Sequence, residues 1–64
     1  MKLVKKMPTH GQFVAVIECT ELWSGLFEYY DDTLMIYNYD IDGFSKYPGN
    51  INKVFKNAIF FIKE

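Results

Sequence analysis

Among its 64 residues the chain carries one cysteine, Cys19. A single thiol cannot close an internal disulfide. His10 is the only histidine, so a structural zinc site within one chain is excluded as well. An excess of charge of one sign is also lacking. The formal net charge of −1 excludes a nucleic-acid binder that works by overall positive charge, although it leaves room for local basic patches. No apolar run reaches the roughly 18 residues of a membrane span. The basic residues near Met1 are not followed by the apolar stretch of a signal peptide. Together these absences point to a cytoplasmic chain with no membrane span. A catalytic constellation is missing too. Asp31-Asp32, His10 and Cys19 are the reactive candidates, and none has a partner at an informative spacing. No enzyme, metal or cofactor is expected.

What the chain does have is grease. Half of its residues are hydrophobic and 19% are aromatic. A core this small supplies only about 3–5 kcal/mol, and such domains usually need a further stabiliser. With disulfide and zinc excluded, self-association is the expected one. The length allows one domain over residues 1–64.

The organising stretch is Leu22 to Tyr39. Two aromatic-rich runs, Leu22–Tyr30 and Thr33–Tyr39, flank Asp31-Asp32. Aromatic and long apolar residues at this density favour strands, and two aspartates supply turn chemistry, so a β-hairpin is expected. Gly25 lies within the first strand, where a glycine permits the sharp bend that closes a small barrel. Upstream, Phe13–Glu18 reads as a strand that is apolar on both faces. Residues 1–11 form an N-terminal stub of at most one or two helical turns, stopped by Pro8. Residues 40–52 are punctuated by Gly43, Pro48, Gly49 and Asn50 and read as a variable loop or turn-rich hairpin. Asn38, Asp40, Asp42 and Gly43 are spaced like the start of a calcium loop. The closing position holds Gly49 instead of Glu, so a solvated turn is expected. Lys53–Lys56 reads as a short strand of alternating charge, and Ala58–Lys63 as a final apolar strand. An unpaired strand of that kind would aggregate. Lysines cluster at both ends of the chain, Lys2, Lys5 and Lys6 at one and Lys53, Lys56 and Lys63 near the other.

Gly25, Glu28, Tyr30, Asp31 and Leu34-Met35-Ile36, followed later by Val54-Phe55-Lys56-Asn57-Ala58-Ile59, resemble the two motifs of the Sm-like proteins, and most of all their bacterial Hfq branch. The resemblance covers roughly residues 13–38 and 53–63. It implies an all-β fold, a small, strongly bent five-stranded antiparallel barrel of Sm-like or SH3-like type. It also implies a homo-oligomeric ring in which the last strand pairs with the next subunit, with Val54, Phe55, Ile59, Phe60, Phe61 and Ile62 at the contact. Its function would be to bind single-stranded RNA, U-rich by preference, as a chaperone or regulator. Asp31, Asp32, Thr33, Lys56 and Asn57 would sit together at the pore, with Lys56 on a phosphate or base oxygen and Asn57 on a base edge. Val16, Thr20, Glu21, Trp23, Ser24 and Phe61 would form a second RNA surface on the opposite face. Trp23 either stacks on a base there or packs against the barrel or a neighbouring subunit. The rival expectation is an SH3-like protein-interaction module that grips a protein partner through Trp23 and its aromatic neighbours and has no nucleic-acid role.

Overall fold

The fold, taken from a computed structural model, is described for residues 1–18 and 21–63. Six strands and one helical turn follow in order: β1 (Lys2–Val4), β2 (Gly11–Glu18), β3 (Leu22–Tyr30), β4 (Thr33–Asn38), β5 (Gly43–Lys46), α1 (Ile51–Val54) and β6 (Ile59–Ile62). All strand pairs are antiparallel and form one sheet in the order β1-β6-β2-β3-β4-β5. The all-β expectation holds in this form. The sheet has six strands rather than five, and β1 and β5 are its two edges, so no ladder closes it into a barrel.

The expected hairpin is present, and its turn is as short as a turn can be. Tyr30 pairs with Thr33, leaving only Asp31 and Asp32 between the strands. Both aspartates have positive φ, 52° and 59°. Two left-handed residues in a row make the type I′ turn, whose twist matches that of the flanking strands. Aspartate tolerates this conformation better than most residues.

Three other expectations are corrected. The N-terminal stub is not helical. Lys2, Leu3 and Val4 form β1, opposite Ile62, Phe61 and Phe60 of β6. Three residues have little strand propensity of their own, and it is the ladder to β6 that fixes their conformation. Lys53–Lys56 is not a strand. Asn50 caps a helical turn, its side-chain oxygen accepting from the Lys53 amide at 3.2 Å. Ile51, Val54 and Phe55 then fall at helical spacing and turn toward the core. The segment 40–52 is not the variable loop of one reading: β5 pairs back on β4, as the turn-rich hairpin of the other reading expects, and α1 begins at Ile51.

The fourth correction concerns the last strand. β6 lies between β1 and β2 within the same chain, with Phe61 opposite both Leu3 and Val14. Its two edges are taken, so it offers no free edge to a sister copy. Of the six residues expected at a ring contact, Phe55 and Phe60 are buried in the chain's own core, and Val54 and Ile62 pack against that core. Ile59 and Phe61 point out of the other face of the sheet.

Alternation along the strands sorts the core. Phe13, Ala15 and Ile17 of β2 are buried, as are Phe27 of β3, Leu34 of β4 and Phe60 of β6. Phe55 joins them from the turn after α1. Phe27 is the hub. Its ring stacks on Phe13 at 5.7 Å and meets the edges of Phe55 at 5.3 Å and Tyr47 at 5.5 Å. Trp23 lies against it at 6.4 Å. Gly25 makes this possible, because a Cβ there would come within 3.1 Å of Phe27 and 3.3 Å of Trp23. Its backbone is not in the left-handed region. Glycine is therefore needed at 25 for the space it leaves over the rings.

Phe27→Ala is expected to cost about 3–5 kcal/mol, since a fully buried aromatic is lost and a cavity left. That is the whole stability of a domain this size. Urea denaturation followed by circular dichroism should find the variant largely unfolded without urea. A midpoint close to the wild-type value would show that the ring cluster is not what holds the sheet together.

Candidate nucleic-acid interface

The residues expected at a shared pore lie in neighbouring clefts. Asp32 and Thr33 line one with Lys46, Tyr47, Gly49 and Ile51. Asp31 and Asp32 line a second with Thr9, His10, Tyr29 and Tyr30. Lys56 lines a third with Lys5, Lys6, Met7 and Phe55. Ile51 borders both the first cleft and the third, so the Asp32-Thr33 and Lys56 sets flank one side chain without sharing a cavity.

Lys56 and Asn57 are held at the tip of a tight turn. The Phe55 amide donates to the Ile51 carbonyl at 3.0 Å, and the Ala58 amide donates back to the Phe55 carbonyl at 3.2 Å. Buried Phe55 anchors the near side of this turn and buried Phe60 the far side, leaving Lys56 and Asn57 exposed between them. Lys5 and Lys6 reach the same cleft because β1 runs alongside β6. The cleft has a volume of about 340 Å³, with Met7, Ala58 and Phe60 forming an apolar floor. Three ammonium groups around an apolar floor suit an anion carried on an apolar or planar body. Lys2 pairs opposite Ile62, next to Lys63. Lys5 and Lys6 of one cluster and Lys56 of the other thus share one cleft, while Lys63 lines a groove on the opposite face.

Carboxylates gather at other turns. Asp40 and Asp42 lie between β4 and β5, and β5 is the sheet edge opposite β1. The expectation of a solvated turn there is met. Asn38 accepts from the Asp40 amide at 2.9 Å, and the Tyr37 hydroxyl donates to Asp42. That hydrogen bond, aided by burial and by nearby Tyr39, raises the Tyr37 pKa above its usual value of 10.0. Among the described residues, no three His, Cys, Asp or Glu side chains come together in a form that could hold a metal ion. No helix among them is long and apolar enough to cross a membrane.

The second expected surface is divided between the two faces of the sheet. Val16 pairs with Ser24, and Phe61 with Val14, on the outer face. Trp23 pairs with buried Ile17 and packs on Phe27, on the core side. Of its two sequence readings, packing within the fold is the one observed. Glu21 is exposed just before β3. Thr20 and Cys19 lie outside the described residues. Sequence reasoning noticed Lys5 and Lys6 but did not join them to Lys56. The only signal for doing so was the presence of basic clusters at both ends.

The chain matches no known protein family, no characterised protein and no solved structure.

The Tyr37–Asp42 contact predicts an alkaline response. A tyrosine whose pKa is higher in the folded state stabilises the fold fully below its unfolded value of about 10, and that contribution is lost as pH rises through the raised value. In an absorbance titration, Asp42→Asn should move one tyrosine to lower pH. Superimposable curves for variant and wild type would show that the hydrogen bond does not hold the proton.

Proposed function

We propose that the chain binds single-stranded RNA without covalent chemistry, through phosphate contacts to Lys5, Lys6 and Lys56. The observation that carries this reading is the convergence of lysines from both ends of the chain on one cleft. Recognition of single strands needs cations for the backbone, faces for stacking and polar groups for base edges. Lys5, Lys6 and Lys56 are the cations, and Asn57, exposed beside Lys56, is the polar group. Thr33 and Asp32 stand across Ile51, where they would limit how a base enters. The likeness to Sm-like proteins belongs to the same proposal, with Lys56 and Asn57 in corresponding roles, as does a cytoplasmic setting. A ring of such subunits would have to join β5 of one copy to β1 of the next, because β6 has no free edge.

A protein-interaction module remains a second reading. It draws no support from Trp23, whose ring is spent on Phe27. The observation in its favour is the apolar outer face of the sheet, where Leu3 and Leu26 are exposed.

Fluorescence anisotropy with oligo-U and oligo-A at two salt concentrations tests the RNA reading. Three phosphate contacts to a single strand give a log–log salt slope of about −2. Lys56→Ala should weaken binding and flatten that slope by about 0.7. No binding at low salt, or an unchanged affinity in the variant, would overturn the assignment.

A further inference from the structure

A second aromatic group lies apart from the core, where β4 turns into β5. Tyr37 pairs with Phe44 across the two strands, so their side chains share a face of the sheet. Ile36, next to Tyr37, packs against the core, and alternation therefore points Tyr37 and Phe44 outward. Tyr39 meets the Tyr37 ring at 4.9 Å and 85°, and Phe44 meets it at 5.7 Å and 77°. The rings form a corner rather than a stack, which leaves aromatic faces uncovered, and Tyr39 is 87% exposed. None of the three belongs to the cluster around Phe27. Two carboxylates stand beside them. Asp42 accepts from the Tyr37 hydroxyl, and Asp40 follows Tyr39 in a turn that the Asn38 side chain holds through the Asp40 amide. Tyr37, Tyr39 and Asp40 line one cleft of about 490 Å³.

We propose that this corner captures the guanidinium of an arginine presented by a protein partner. Charge and donor chemistry select that occupant. Aromatic faces attract cations, and Asp40 and Asp42 add negative charge beside them, so a phosphate-bearing ligand is repelled. An uncharged apolar partner would strip water from two carboxylates and offer them no hydrogen bond. A bare metal ion lacks ligands, because no three His, Cys, Asp or Glu side chains gather among the described residues. The carboxylates call for a cation that donates hydrogen bonds, which a quaternary ammonium does not. Of the donating cations, a guanidinium is planar and weakly hydrated, stacks on a ring and presents its donors as a fork, whereas the ammonium of lysine is a strongly hydrated point charge. The Tyr37 hydroxyl occupies Oδ1 of Asp42, which leaves Oδ2 for such a donor. Lys46 lines the same cleft and opposes a cation, with one charge against the two carboxylates. The corner adjoins β5, the sheet edge opposite β1, and shares no lining residue with the Lys5–Lys6–Lys56 cleft. It therefore stands or falls independently of RNA binding.

Titration of the chain with the peptide acetyl-Gly-Arg-Gly amide, followed by two-dimensional amide NMR, tests it. The same peptide with lysine in place of arginine is the comparison. The arginine peptide should shift the amide signals of Tyr37, Tyr39, Asp40 and Phe44 along a saturating curve, and the lysine peptide should bind more weakly. Tyr39→Ala removes one aromatic face and should weaken the arginine peptide about two- to fivefold. Asp40→Asn should weaken it as well, and Lys46→Met should tighten it. All three positions are exposed, so these variants should keep the wild-type circular dichroism. The absence of a saturating shift at the corner, an equal response to the lysine peptide, or an affinity that neither Tyr39→Ala nor Asp40→Asn lowers would each overturn the proposal.

Discussion

The contact on which the rest of the structure depends is the stack of Phe27 on Phe13, braced by Phe55 and Tyr47. Each ring comes from a different part of the chain: β3, β2, the turn after α1, and the segment following β5. A domain of this size has no second core to fall back on. Aromatic side chains suit it because each buries a large area at little cost in side-chain entropy. The glycine at 25 and the alanine at 15 pair opposite one another and leave room for this cluster. Large and small residues thus alternate on the inner face.

From that cluster follows the placement of the last strand. Phe60 and Phe55 must both reach the rings, so the chain after α1 turns back sharply and lays β6 against β2. β1 then covers the remaining edge of β6. Two consequences arise from this one arrangement. The apolar final strand is satisfied within its own chain. Lys5 and Lys6 also come beside Lys56, which gives a chain of net charge −1 a locally positive cleft. The unspent apolar surface is on the outer face instead, where alternation along β1, β6, β2 and β3 delivers it.

Much of this was legible in the sequence, and the misses have physical causes. The β3–β4 hairpin could be read because two aspartates interrupt two aromatic runs, a local signal. The strand over Phe13–Glu18 and the final strand could be read from their unbroken apolar character. β1 could not, because Lys2-Leu3-Val4 is a strand only by virtue of a partner some sixty residues away. α1 was readable in principle. Asn50 followed by Ile51, Val54 and Phe55 carries both a cap and a helical period, but the apolar pair Val54-Phe55 between two lysines imitates a short strand. The candidate site was half legible. Lys56 and Asn57 stood out through their setting, while Lys5 and Lys6 needed the β1–β6 ladder to reach them. The acidic turn was expected beside Lys56 and instead faces a different cleft, across Ile51. That separation depends on side-chain packing, which no motif spacing encodes.

The central claim is that one chain pairs both edges of its own last strand. Amide hydrogen exchange at Phe60 and Phe61 tests it most directly, in a sample dilute enough to hold single chains only. A strand flanked on both sides should keep both amides protected, comparably to Val14 and Ala15 in β2. Rapid exchange at either position would mean that β6 has an open edge in the lone chain, and would contradict the account.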